Sequence, residues 1–455
     1  MIGKHFAKGA PRLLREGVKM SKAQLDGRQL LLLGSIFFLA IGAVMEFTNP
    51  LGMTDFEQIY WSSRCVAQHQ DPYQPDQLMA VYRADTGSLP SDSGTVSSTH
   101  RKIVFIAPNL PTTLLLIAPV AALPWRLAVL IWMLLIAGCF IFACYRIWSV
   151  GIDSAPRLYG LLIFLLLINS GLLLATGNTA GLVVSLSVIA VCCFLQERFA
   201  NAGVVCLAIA LAMKPHDAGP IWLYFFLVGG SHRKRALQTL ALTAAIIVPA
   251  VLWMSHAAPN WLPELESNLA RGLSRGGLNN PGPTTQGGRG IGMIISLQAA
   301  LSLIRDNPSF YNLVAYLICG ALLVLWSVKT LRSGFSQRRA WLALAAISAL
   351  TMLPFYHRTY DARLLVLAIP ACAILWSERG PIAWWALSIN LAGIVLTGDL
   401  FWVSFFQITH YSGPAVTWGM IPAPVMLLAT AIFYLWVYMR EPSGQMIACV
   451  ATESP

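Results

Sequence analysis

Charge is scarce in this chain. Of 455 residues only 11% are Asp, Glu, Lys or Arg, where a soluble domain carries about 25%. Apolar residues make up 56% and the mean hydropathy is +0.64. These values exclude an ordinary soluble domain. Apolar runs of about 20 residues recur, long enough to cross ~30 Å of hydrocarbon. The fold class they imply is an all-α polytopic membrane protein, one integral body to which residues-per-domain rules do not apply. The first run, Leu30 to Phe47, starts too late and is too long for a cleaved signal peptide. It is expected to remain as the first span.

Pairable cysteine is also missing. Nine cysteines are present, but only Cys65 falls in an outer segment of the topology below. One cysteine cannot close an outer disulfide within the chain. No Cys/His cluster has the spacing of zinc ligands, and the eight histidines are scattered. No metal and no cofactor is expected.

What is present is a series of spans, expected near 30–49, 125–147, 158–175, 180–195, 200–213, 218–230, 237–255, 311–328, 340–355, 363–377, 382–398 and 421–439, about twelve in all. The apolar piece Ile103 to Ala122 is broken by Pro108, Pro111 and Pro119. Proline removes a backbone donor, so this piece reads as re-entrant or interfacial. Basic residues orient the map. The stretch Lys4 to Arg28, then Arg146, Arg157, Arg198, Arg233 to Arg235, Lys329, Arg332, Arg338, Arg339, Arg379 and Arg440 share one side. The positive-inside rule makes that side cytoplasmic. The net charge of +11 then reflects topology and anionic headgroups, not nucleic acid. The organisation expected is a basic cytoplasmic segment 1–29, a transmembrane domain 30–440 with outer loops about 50–102 and 256–310, and a cytoplasmic tail 441–455. Both termini are inside a plasma (inner) membrane, with the functional face on the outer, periplasmic side.

The few polar residues at span ends are the functional candidates, since each charge at a membrane boundary needs a reason. Asp55 follows the first span, in Thr54-Asp55-Phe56-Glu57-Gln58-Ile59-Tyr60. Read locally, Thr and Asp there cap the next helix. Asn178 lies in a tight outer turn, Gly177-Asn178-Thr179, and Lys214-Pro215-His216-Asp217 joins two spans on that side. Tyr356-His357-Arg358-Thr359-Tyr360-Asp361-Ala362-Arg363 crowds ionisable groups of mixed sign, His357, Arg358, Asp361 and Arg363 among them, into one outer turn. Such a cluster suggests a phosphate or proton-transfer site. The stretch Thr86 to Thr99 reads as a mobile loop. The stretch Arg271 to Arg289 is rich in Gly, Asn and Arg without a carboxylate. It is either a linker or a loop whose amides and arginines close over an anionic or sugar-bearing ligand.

Taken together, Thr54-Asp55-Phe56 with Tyr60, Asp71-Pro72-Tyr73, and Ala118-Pro119-Val120 through Leu127-Ala128 resemble glycosyltransferase family 87. So do Gly177-Asn178-Thr179, Ala202-Gly203 leading to Ala210-Leu211-Ala212-Met213-Lys214-Pro215, and the His357 turn before Leu364-Leu365. The family includes polyprenyl-phosphate-mannose-dependent mannosyltransferases. Ala107-Pro108-Asn109 stands where members often carry Tyr-Pro-Pro, and 88–98 looks inserted. The resemblance implies a GT-C fold with outer juxtamembrane helices and loops. It implies a donor sugar, mannose by family default, on a polyprenyl phosphate, and a glycolipid or glycan acceptor. Asp55 resembles the catalytic aspartate and would be the base of an inverting attack. His357 would be a second catalytic group, able to return a proton to the phosphate. Lys214, Arg358 and Arg363 would bind that phosphate, and Tyr60, Asn178, Asp361 and Arg289 the substrates. Two other classes fit the residues alone. One is a secondary transporter or flippase of a lipid-linked or small anionic substrate, which usually shows two similar halves and midplane binding groups. The other is a non-catalytic subunit of a cell-envelope complex. The sequence leaves the sugar, the acceptor, the lipid length and the oligomeric state open.

Overall fold

A computed structural model describes residues 20–48, 52–90, 95–275, 277–283, 294–410 and 417–442. Arg289 lies outside the described residues. Among those described, regular structure is helical, with one isolated β-bridge between Ile294 and Arg358.

The expectation of a polytopic helical protein holds, and of the about twelve spans expected six or seven are supported by length and composition. Among the described residues six helices are long and apolar enough to cross a bilayer: Lys22–Thr48, Trp125–Gly151, Pro156–Thr176, Gly230–Ala257, Pro308–Arg332 and Thr417–Arg440. A seventh candidate is the pair Pro381–Leu396 and Asp399–Ile408, bent by 59°. The remaining expected spans are shorter. Ala180–Leu195 has 16 residues, Ala200–Met213, Pro215–Val228 and Gln337–Leu350 have 14 each, and Ala368–Glu378 has 11. At 1.5 Å per residue, 14 residues reach only about 21 Å. Their apolarity has another cause. Nearly every side chain of Ala180–Leu195 is buried in the protein, whereas Lys22–Thr48 leaves Leu32, Leu33, Ile36 and Phe37 exposed. Hydropathy scores both alike, because protein and lipid accept the same side chains.

Helix Lys22–Thr48 packs closely along Pro156–Ile168 and Gly171–Thr176. Glycines make the approach possible. A side chain at Gly27 would strike the Pro156 carbonyl, and one at Gly160 would strike Gly27. The proline-broken piece is a short helix, Pro111–Ala121, with Pro119 inside it. The 50–102 segment carries helices Thr54–Ala67, Pro75–Thr86 and Thr95–Val104. The stretch expected as a mobile loop therefore contains the start of a helix, and its residues 91–94 lie outside the described set. Amphipathic Trp261–Leu273 belongs to the second long segment. Its Asn268 is buried and donates to the carbonyls of Tyr73 and Ala107, 3.1 Å each.

Candidate functional site

Asp55 is fixed from three directions. Met53, left-handed at φ 57°, precedes helix Thr54–Ala67. Its N–H donates to the Ala175 carbonyl at 2.7 Å, which ties the first turn to the end of helix Gly171–Thr176. Phe56 stacks between Trp125 and Trp132, with ring centroids 5.7 and 5.1 Å away. The Trp132 indole donates to the Gly177 carbonyl at 2.7 Å. Gly177 has φ +65°, and a Cβ there would lie 2.7 Å from Cβ of Phe56. Only glycine lets this turn come so close. The turn then presents Asn178, whose Nδ2 donates to Asp55 Oδ2 at 2.8 Å while its Oδ1 accepts from Ala180 N–H at 2.8 Å. The capping role that local sequence suggests for Asp55 is absent, since the cap is Met53 and no side chain caps it. Burial raises the Asp55 carboxyl above its ordinary value, and Asn178, Arg358, Thr176 and Lys214 pull it partly back.

Within electrostatic reach of Asp55 lies a chain of alternating charges. Lys214 links helices Ala200–Met213 and Pro215–Val228. Its ammonium lies 2.7 Å from Asp361 Oδ1 and 3.1 Å from Asp217 Oδ2. Asp217 Oδ1 is 2.8 Å from His357 Nε2. Asp361 Oδ2 accepts from the Arg358 N–H at 2.9 Å. The Arg358 guanidinium donates to the Tyr356 hydroxyl, to the Leu278 carbonyl at 2.9 Å and to Asn279 Oδ1 at 3.4 Å. That joins the Gly/Asn-rich segment to the site.

The protonation of His357 follows from its neighbours. Nδ1 is 3.1 Å from the Phe355 carbonyl and Nε2 faces the Asp217 carboxylate. Both partners accept, and a neutral imidazole has one N–H only. The imidazolium satisfies both. Burial pushes His357 down, but the bond and charge of Asp217 outweigh it and the value rises. Burial likewise opposes Lys214, and Asp217 and Asp361 outweigh it upward. Asp217 is held far below the carboxylate range by Lys214, His216 and His357 against the effect of burial.

Exposure divides these groups into two rows. Asp55, Asn178, Lys214, Tyr356 and Arg358 keep accessible surface. Asp217, His357 and Asp361 are fully buried behind them. The front row can touch a substrate, and the back row sets its charge and position. His216, Asp217 and His357 do bring three potential metal-ligand atoms within 4.8 Å. Asp217 already faces an ammonium and an imidazolium there, so a divalent cation would meet two positive neighbours.

The structure brings Asp55, Asn178, Lys214, His357, Arg358 and Asp361 into one region. Two other candidates are elsewhere. Tyr60 is buried among Phe56, Trp61 and Trp125, its hydroxyl donating to the Leu123 carbonyl and accepting from Arg64, 2.7 Å each. Arg363 is fully buried and turned to backbone carbonyls. Three groups given no role of their own from sequence belong to the site. Asp217 stood beside Lys214, and Tyr356 stood beside His357. Thr176 carried no signal, as one hydroxyl at the end of an apolar run.

Comparison with known proteins yields one match. Residues 109–355, more than half the chain, match the model of glycosyltransferase family 87. The match includes Asn178, Lys214 and Asp217, while Asp55 precedes it and His357 follows it by two residues. No curated protein and no solved structure gives a match.

Proposed function

The chain belongs to glycosyltransferase family 87, and we propose that this multi-pass membrane glycosyltransferase moves mannose from a polyprenyl phosphate to an acceptor hydroxyl, with inversion and without a metal. The reaction runs on the outer face of the plasma (inner) membrane. The observation that carries this reading is Asp55, a half-buried carboxylate steered by Asn178 toward a wall that bears Lys214 and Arg358. Family membership favours it over the transporter reading of the same charges.

Asp55 takes the proton of the acceptor hydroxyl, and its raised value makes it a stronger base than a solvated aspartate. The acceptor oxygen bonds to C1 as the C1–phosphate bond breaks on the opposite face. The electron pair leaves with the phosphate oxygen. Lys214 and Arg358 stabilise that growing charge. With His357 protonated, Asp55, Asp217 and Asp361 balance Lys214, Arg358 and His357, so an anionic donor is not repelled. His357 acts through Asp217 and Lys214, since both its nitrogens are engaged.

Purified protein offered a panel of polyprenyl-phosphate sugars tests the reading. Release of polyprenyl phosphate from the mannosyl donor alone is the expected result. Consumption of another sugar moves the specificity, and consumption of none removes the donor class. Single cysteines at Ser88 and Gly334, both exposed, test the orientation. Ser88 should react with an impermeant reagent in intact cells, and Gly334 should not.

A further inference from the structure

Arg363 sits where two interrupted helices meet a 3₁₀ turn. The first interruption is Asn169–Ser170, between helices Pro156–Ile168 and Gly171–Thr176. The second is Thr397–Gly398, in the bent pair Pro381–Leu396 and Asp399–Ile408. The third element is the 3₁₀ turn Asp361–Leu367, which carries Arg363 itself and leads into helix Ala368–Glu378. A break in an apolar helix frees backbone carbonyls that cannot be left bare in a membrane. Arg363 answers all three. Nη1 donates to the Asn169 carbonyl at 2.5 Å, and Nη2 to the carbonyls of Thr397 at 2.5 Å and Thr359 at 3.2 Å.

Asp399 completes the arrangement. Its Oδ2 accepts from Leu172 N–H at 2.7 Å, at the start of Gly171–Thr176, and its own N–H donates to the Asn169 carbonyl at 3.2 Å. The two side chains interact electrostatically. Each also keeps one buried polar atom without a hydrogen-bond partner, Nε of Arg363 and Oδ1 of Asp399. The approach is tight, because a side chain at Gly398 would collide with Asn169.

Two short paths lead from this knot to the site. Helix Gly171–Thr176 is six residues long and ends at the carbonyl that holds Met53 and at the turn that holds Asn178 on Asp55. From Thr359 the chain continues into Arg358 and Asp361, which carry the wall of Lys214. One guanidinium therefore bonds to the base of both walls. We propose that Arg363, balanced by Asp399, is a positioning residue that sets the separation between the Asp55 wall and the phosphate-facing wall, rather than a ligand of the phosphate.

The inference rests on the transferase reading only for its kinetic consequence. Arg363→Lys keeps the charge but cannot fork to three carbonyls. In hydrogen-exchange mass spectrometry of the full chain in detergent, it should lose protection at 171–178 and 357–361 together. Helix Ala200–Met213 should be unchanged. With a short-chain prenyl-phosphate mannose as donor, kcat should fall about 10- to 100-fold while KM stays within about threefold. The acidic limb of the pH profile should move up, because a loosened Asn178 bond lowers Asp55 less. Asp399→Asn retains an acceptor for Leu172 and should show the same exchange pattern with a smaller kinetic loss. A change confined to one wall, protection lost uniformly including Ala200–Met213, a rise in KM alone, or failure of both variants to fold would each overturn the proposal. A wild-type protein that ignores this donor would count against the donor assignment, and the exchange pattern would still decide the knot.

Discussion

Arg358 and Arg363 lie five residues apart on one turn, and the protein uses them in opposite ways. Arg358 keeps accessible surface, is paired with a tyrosine hydroxyl and lies within electrostatic reach of Asp55. Arg363 has no accessible surface and meets backbone carbonyls of three segments. A cation that keeps accessible surface within electrostatic reach of a half-buried carboxylate has its field available to a ligand. A cation spent on carbonyls serves the backbone. The lesson is that sign and neighbourhood in sequence do not assign an arginine to chemistry. Its exposure and what its charge still reaches do.

The comparison is sharpest at the base. Asp55→Asn keeps the shape and the neighbour Asn178 but cannot accept a proton. Turnover should fall at least ~100-fold, in the range for losing a general base. Stability should move the other way. A carboxyl whose folded value lies above its unfolded one binds its proton more tightly when folded, so its ionisation destabilises the fold as pH rises through that interval. The Asn variant should therefore melt higher than wild type near pH 7, with the difference shrinking as pH falls through the folded value and gone below about pH 3.8. Near-normal turnover would remove Asp55 from its role, and a lower melting point would make it a scaffold residue like Arg363.

Arg358→Gln comes next. It removes a charge facing the leaving phosphate while Lys214 remains, so kcat should fall roughly 10- to 100-fold. KM for the donor should change less, because charge on the phosphate grows as the bond breaks. A loss seen only in KM would place Arg358 in ground-state binding. An unaltered kcat would leave it as an anchor for Leu278 and Asn279.

His357 should give a smaller, pH-dependent effect. Its folded value is raised by Asp217. The stability it contributes is therefore full below the ordinary histidine value of about 6.5 and is lost as pH rises through the folded value. Wild-type melting temperature should decline over that window, and His357→Gln should flatten the decline. Equal slopes in both proteins would show that His357 is neutral when folded.

Much of the site was legible, for a physical reason. Polar residues in turns between apolar spans are costly, so Asp55, Asn178, Lys214 and the His357 turn stand out. Their convergence was not written locally, because 123 residues separate Asp55 from Asn178 and 147 separate Lys214 from Asp361. The use of Arg363 was hidden by the helix breaks. Asn169 and Ser170 lie inside a run that reads as one span, and Gly398 ends another. Hydropathy averages over such breaks and does not reveal which carbonyls they release. The number of spans was not legible for the related reason that Ala180–Leu195 and residues 340–350 are apolar and buried nearly all round. Such helices are buried by protein, and only their length reveals it.

Tyr60 offers the smallest effect and the cleanest check on the two-row division. It lies on the same helix as Asp55, and an aromatic there could stack on a sugar. Its ring is instead enclosed by Phe56, Trp61 and Trp125, and its hydroxyl is held between the Leu123 carbonyl and Arg64. Tyr60→Phe keeps the ring packing and deletes only those two hydrogen bonds. A net loss of about 1 kcal/mol is typical for a bond of this kind, so a melting point lower by a few degrees is expected. Turnover and KM should stay within about twofold. The reverse pattern, unchanged melting with at least a tenfold loss of kcat or gain in KM, would mean that Tyr60 reaches the substrate. The aromatic stack would then have to open during the reaction, and the boundary between groups that touch ligand and groups that hold the fold would move one turn along the helix from Asp55.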